Sequence, residues 1–162
     1  GVKESAEILR YNPDTDEWRR LGQLPESRRN ATAVVYHGQI VLVGGTSNDR
    51  PIYQVIAISP GTDLIINYWE TSRSLPDVCV RCRLENMGDM LFLISPTAIW
   101  QFSPIKLAWV KTYTFDEGLS FKQVVTTSRD GILYLFASRK NEDTTLYKIQ
   151  LIFTQAVPGV LN

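Results

Sequence analysis

The chain has 162 residues, of which 44% are hydrophobic and 21% charged, and its 17 Lys and Arg residues balance 17 Asp and Glu residues. This length is enough for one domain with its own core. The charge balance argues against a general binder of nucleic acid or anionic membranes. No apolar run approaches the roughly 20 residues of a transmembrane helix, and the first ten residues are too polar for a signal peptide.

Short strands are the elements that the sequence predicts, in chain order. The first two are expected near residues 6–11 and 17–21, on either side of the turn-forming letters NPDTDE. Three later runs, GQIVLVGG from Gly38, GDMLFLIS from Gly88 and GILYLFAS from Gly131, align without gaps. They are rich in Val, Ile, Leu, Phe and Tyr and are bounded by turn residues. Because no stretch of ten or more residues shows a convincing helical period, the predicted fold class is all-β.

A repeat organises these strands. The three aligned runs, and also Trp18, Trp69 and Trp109, recur at intervals of about 40 to 50 residues. Each unit contains a strand, a glycine turn, an apolar strand, a polar loop, a third strand, a proline turn and a strand that carries Trp. Four short antiparallel strands at this period predict the blades of a β-propeller.

The repeated unit resembles the kelch repeat. That family has a double glycine that closes the second strand, and then an aromatic residue separated from a Trp by six residues. The residues that carry the resemblance are Gly44, Gly45, Tyr11, Trp18, Phe102 and Trp109. The resemblance covers roughly residues 6–152 and is weaker in the second half. It implies a kelch-type β-propeller in which Trp18, Trp69 and Trp109 pack between blades.

About three blade equivalents are expected in this chain. The domain is predicted to span residues 1–152, and residues 153–162 form a tail. The predicted blade portions are residues 6–21, 28–73, 78–113 and 121–152. Because closed propellers usually have four to eight blades, we expect the chain to be part of a six-bladed ring.

Catalysis, cofactors and metals are not expected. Cys79 and Cys82 lie three positions apart in a segment that reads as a strand, where they would point to opposite faces. We therefore expect two free thiols in an intracellular protein. His37 is the only histidine of the chain and precedes a turn glycine, so neither a zinc site nor a Ser-His or Cys-His nucleophile is indicated. The prediction is a protein that is not an enzyme.

Cations near the predicted strand ends are the candidate binding residues. The resemblance implies that arginines just before the first strand of a blade contact acidic peptides, and Arg28 and Arg29 match that place well. Arg81 and Lys122 are weaker matches in the next two units, and Lys lacks the bidentate fork of Arg. Loops after the second strands add further candidates, which are Asn48, Arg50 and Arg139. Together they predict a clamp for a carboxylate-rich or phosphorylated segment.

The predicted function is therefore that of a protein-interaction module. The resemblance implies, more specifically, the substrate-recognition domain of a BTB–kelch or F-box–kelch ubiquitin ligase adaptor, which would reach a cullin through an attached domain. This interpretation implies a location in the cytoplasm, or in both the cytoplasm and the nucleus. The alternatives are an actin-associated cytoskeletal scaffold and a sugar-binding or vestigial oxidase propeller. Contacts with nucleic acid or membranes are not expected.

Overall fold

A computed structural model describes residues 3–61, 64–69, 75–76, 78–115, 120–129, 132–138 and 144–150. Every regular element among these residues is a β-strand, and the strands form small antiparallel sheets. The predicted all-β fold class is confirmed. Within the same residues there is no helix that could cross a membrane. The predicted tail, residues 153–162, lies outside the described residues, and the predicted bounds of the blade portions stay predictions.

The first sheet is a two-stranded hairpin. Strand β1 (Ser5–Asn12) pairs with β2 (Glu17–Arg28), and Tyr11 lies opposite Trp18 beside the turn. The rings of these two residues are 5.1 Å apart, and the Tyr11 hydroxyl donates a hydrogen bond to Asp16. This hairpin is the region that the sequence predicts from the letters YNPDTDEW.

The second sheet has four strands in the order β3, β4, β7, β8. Its strands are β3 (Thr32–Tyr36), β4 (Gln39–Val43), β7 (Ile56–Pro60) and β8 (Leu64–Tyr68). His37 and Gly38 form the turn between β3 and β4, with φ angles of 46° and 73°. Both angles are left-handed, as a tight turn between twisted strands requires. A small hairpin of β5 (Thr46–Ser47) and β6 (Arg50–Pro51) is inserted before β7.

Two further sheets follow. The third sheet contains β9 (Arg83–Met87), β10 (Met90–Ile94), β11 (Ala98–Ser103) and β12 (Ala108–Thr114), paired in chain order. The fourth contains β13 (Ser120–Arg129), β14 (Ile132–Ser138) and β15 (Thr144–Gln150), also paired in chain order. The first strands of successive sheets contact each other, β3 with β9 and β9 with β13. Sheets that meet through their first strands are arranged as propeller blades are.

Strand β10 shows why the apolar runs are continuous. Successive side chains of a strand point to opposite faces. Leu91 and Leu93 belong to the core between the second and third sheets, whereas Phe92 and Ile94 belong to the core between the third and fourth. All four side chains are fully buried. Because this strand is covered on both faces, it needs an uninterrupted apolar run rather than an alternating one.

The aromatic residues of the repeat have different environments. Trp109 and Phe102 are buried in the core between the second and third sheets, and Trp69 packs against that core with its ring 4.6 Å from Phe102. Trp18 is 68% exposed, so it packs between no two sheets of the described residues, and its packing between blades stays a prediction. Its sheet has two strands only, and the hairpin presents this ring to solvent beside Tyr11.

The double glycine is a point where the end of β4 closely approaches neighbouring loop segments. Gly44 and Gly45 follow β4 with φ angles of 65° and 84°. A Cβ on Gly44 would lie 2.3 Å from the carbonyl oxygen of Cys79, and a Cβ on Gly45 would lie 2.5 Å from that of Arg29. The Gly45 amide donates a hydrogen bond to the Cys79 carbonyl over 2.8 Å. Glycine is needed here because the backbone is left-handed and the neighbouring chain leaves no room for a side chain.

Cys79 and Cys82 are joined by a disulfide, and the described residues include no free cysteine. The prediction of two free thiols is therefore wrong. It assumed a strand, but these residues lie in the loop before β9, where Arg81 has a φ of 64°. That left-handed residue turns the chain so that the two Cα atoms are 5.2 Å apart, which is within the range that a disulfide spans.

Candidate functional site

A groove lies beside the small hairpin of β5 and β6. Asn48 and Asp49 form the hairpin turn with φ angles of 47° and 61°, a conformation that Asn and Asp tolerate better than most residues do. The turn and the segment after it project from the second sheet and enclose a groove of about 670 Å³. Residues that line this groove include Glu26, Asn48, Arg50, Ile52, Tyr53 and Gln54.

Arg28, at the end of β2, lies in the interior. Its side chain is 6% exposed, and one guanidinium nitrogen donates hydrogen bonds of 3.4 Å to the carbonyls of Gly44 and Gln54. The Nε and Nη2 atoms have no hydrogen-bond partner among the described residues. Burial lowers the pKa of this guanidinium, although the nearby Glu26 and Tyr68 raise it. Arg28 therefore links the backbone of Gln54, which lines the groove, to that of Gly44.

Arg29 is already engaged by two carboxylates of its own chain. Its guanidinium forms ion pairs with Asp49 and, at 3.7 Å, with Glu4. It also donates a hydrogen bond of 3.2 Å to the hydroxyl of Thr46, and the two backbones exchange hydrogen bonds in an isolated bridge. The pairing fastens the end of β2 to the small hairpin. An acidic partner would have to compete with these carboxylates.

Arg50 and Arg81 are the exposed cations of this region. Arg50 lines the groove, and neither guanidinium forms an ion pair within the described part of the chain. The Arg81 amide donates a hydrogen bond to the carbonyl of Asn30, which places this residue next to Arg29. The structure thus brings four of the predicted arginines to one end of the second sheet: Arg28, Arg29, Arg50 and Arg81.

The other predicted binding residues have different positions. Asn48 lines the groove, and its backbone amide donates a hydrogen bond to Glu4. Lys122 lies in strand β13, on another sheet. Arg139 lies outside the described residues. The partner-binding roles of all these residues stay predictions.

Two residues of the site were missed by the sequence reasoning. Tyr53 is 42% exposed in the groove, and Glu4 pairs with Arg29 from the segment before β1. Tyr53 lies two residues after Pro51, just after a polar loop, and an aromatic residue at such a place could have been noticed. Glu4 offered no signal, because its pairing with Arg29 depends on the register of β1 against β2.

The described residues contain no cluster of three or more His, Cys, Asp and Glu side chains that could hold a metal ion. His37 lies in the turn after β3, with its ring 4.2 Å from that of Tyr36. The arrangement at the groove is one of a cation, an aromatic ring and hydrogen-bonding groups on a rigid sheet. Such a surface can bind a carboxylate or phosphate group and stack on a planar or apolar one.

Comparisons with known proteins agree with the fold. No family model matches the chain. Kelch-like protein 41b of Danio rerio is 28% identical over 123 residues, a match that covers 66% of this chain and 20% of that protein. The solved structure of YjhT superposes with a TM-score of 0.69 at 15% identity, covering 88% of this chain and 48% of that one. The chain thus spans a fifth of the first protein and about half of the second. Its fold is that of a kelch-type β-propeller.

Proposed function

We propose that this chain is a protein-interaction module whose groove beside the β5–β6 hairpin binds a segment of a partner protein. The similarity to a Kelch-like protein supports interaction with proteins in general. The observation that carries the proposal is Arg50, an exposed arginine that lines the groove together with the exposed Tyr53. Arg and Tyr are the residue types that contribute most often to binding energy at protein interfaces.

The partner segment is proposed to be acidic or phosphorylated. Arg50 can form a bidentate pair with a carboxylate or phosphate group. Glu26 also lines the groove, so the groove is not uniformly positive, and a partner must place its anionic group near Arg50. Such a contact gives specificity and an association rate that falls with salt.

The more specific proposal is that the chain recognises substrates for a cullin-RING ubiquitin ligase, through an attached BTB or F-box region. Its support is the kelch-type fold and the Kelch-like relative. The same proposal holds that the chain is not an enzyme and that it is located in the cytoplasm. The disulfide of Cys79 and Cys82 argues against a cytoplasmic location, because reducing compartments keep most thiols reduced.

Affinity capture followed by quantitative mass spectrometry tests the proposed function. The chain is compared with the Arg50→Glu variant, and Arg10→Glu, an exposed arginine of β1 away from the groove, is the matched control. We expect a partner with an acidic or phosphorylated segment to be lost from Arg50→Glu and kept by Arg10→Glu. The purified partner should then bind the unchanged chain directly and more weakly as salt is raised. Equal capture by both variants would show that the groove is not the binding surface.

A sugar-binding function is the second candidate, and Tyr53 is the observation that favours it. An aromatic ring exposed in a groove can stack on the apolar face of a sugar. Binding of this kind should be lost in a Tyr53→Ala variant, kept in Arg50→Glu and insensitive to salt. A glycan array probed with these two variants distinguishes it from recognition of an acidic segment.

A further inference from the structure

Three hydrogen-bonding or charged groups converge on the carboxylate of Glu4. The Asn48 amide donates to Oε2 over 3.1 Å, and the Ser27 hydroxyl donates to the same oxygen over 3.4 Å. The Arg29 Nε lies 3.7 Å from Oε1. The three groups come from β2, from the residue after β2 and from the turn of the small hairpin. We call these groups, on Ser27, Arg29 and Asn48, the carboxylate site.

The carboxylate site is held in place by structure that does not involve Glu4. The left-handed backbone of Asn48 and Asp49 sets the direction of the Asn48 amide, and the isolated bridge between Arg29 and Thr46 fixes the hairpin against the end of β2. A second carboxylate, that of Asp49, pairs with the neighbouring Nη2 of the Arg29 guanidinium. A site whose donors are positioned in advance binds its ligand without the cost of ordering them.

Glu4 itself is less firmly held than the site. It precedes β1 and takes no part in the strand pairing, which begins at Ser5. Its side chain is 21% exposed, so part of it already faces solvent. With Glu4 and Asp49 in place, the cluster carries two negative charges against the one of Arg29. A further carboxylate therefore reaches the Asn48 and Ser27 donors only when it replaces Glu4.

We propose that Glu4 is an internal competitor that occupies a carboxylate-binding site and so weakens the binding of acidic partner segments. The inference rests on the proposed function in taking an acidic segment as the ligand. A partner carboxylate would accept the hydrogen bonds of Asn48 and Ser27 and pair with Arg29, while Glu4 turns outward. Because the apparent dissociation constant rises with the fraction of sites that are blocked, occupancy of nine-tenths by Glu4 weakens binding about tenfold.

The test is the binding of a fluorescein-labelled oligoglutamate peptide to the full chain, measured by fluorescence anisotropy at low salt. Glu4→Ala empties the site, whereas Asp49→Asn removes the same charge from the same arginine and leaves Glu4 in place. Asn at this turn position retains a residue that tolerates the left-handed conformation. We expect about tenfold tighter binding by Glu4→Ala, a change of less than about threefold for Asp49→Asn, and loss of the gain in Glu4→Ala with Arg29→Gln.

Three outcomes would overturn the proposal. Equal gains for Glu4→Ala and Asp49→Asn would mean that affinity follows charge alone. A gain that survives Arg29→Gln would place the peptide elsewhere, and absence of binding by Glu4→Ala would show that the emptied site has no affinity for carboxylates. Circular dichroism and thermal unfolding confirm that each variant is folded. The outcome is independent of the Arg50→Glu capture experiment, so the internal competitor and the partner-binding groove can fail separately.

Discussion

Replacing Gly44 with Ala should destabilise the chain through the contact between the end of β4 and the loop that precedes β9. Two costs are expected. The φ of 65° at this position penalises a residue with a Cβ by about 1–2 kcal/mol. The new Cβ would also lie 2.3 Å from the Cys79 carbonyl oxygen, and relieving such a clash in a packed region costs typically about 1–3 kcal/mol. The sum is about 2–5 kcal/mol, a large part of the stability of a typical domain.

Gly38→Ala is the matched control for this substitution. Gly38 has a similar φ of 73°, but nothing lies within 4 Å of the position where its Cβ would be. It should therefore bear only the backbone cost of about 1–2 kcal/mol. The difference between the two variants isolates the close approach at Gly44, and urea unfolding at equilibrium measures it. If Gly44→Ala is no more destabilising than Gly38→Ala, the tight contact at the double glycine is not real.

Two further predictions concern aromatic residues. Trp109→Ala should lower the free energy of unfolding by about 3–5 kcal/mol because a buried ring is lost. Trp18→Ala should lower it by less than about 1 kcal/mol because this ring is mostly exposed. Equal losses of the two variants in urea unfolding would contradict this. Burial, together with the charge of Asp89, raises the pKa of the Tyr36 hydroxyl, so the fold favours the neutral phenol. Its contribution should be present below about pH 10 and lost as the pH rises through the raised pKa. Unfolding measured from about pH 8 to about pH 11 should therefore show a smaller loss in Tyr36→Phe than in the unchanged chain, and parallel losses would refute the assignment.

The order of the strands could be predicted from the sequence because the repeat is local. The glycines at residues 38 and 88 both have left-handed φ angles in turns between the first two strands of their sheets. Such turns need only a few residues, so each repeat unit contains a glycine at the same place in its sequence. The apolar run of β10 is likewise a local consequence of burial on both faces. Periodic apolar residues and turn glycines were therefore enough to predict the fold class.

The candidate site could be predicted only in part. Arg28 and Arg29 were predicted to bind a partner from a position just before the first strand of a blade, a role that stays a prediction, and their contacts come from distant parts of the chain. Nothing in the local sequence indicates that one arginine is buried and the other is paired with Glu4. The left-handed Arg81, which allows the disulfide, is equally invisible, because Arg rarely adopts that conformation. These features depend on contacts between residues far apart in the sequence, which local patterns do not reveal.

Hydrogen–deuterium exchange on the complex of the full chain with its captured partner tests the central claim most directly. If the groove beside the β5–β6 hairpin is the binding surface, the partner should slow exchange in residues 47–54, which contain most of the groove lining. The Arg50→Glu variant should show no such slowing at the same partner concentration. Slowed exchange confined to the β1–β2 hairpin or to the third and fourth sheets, with residues 47–54 unchanged, would contradict the account.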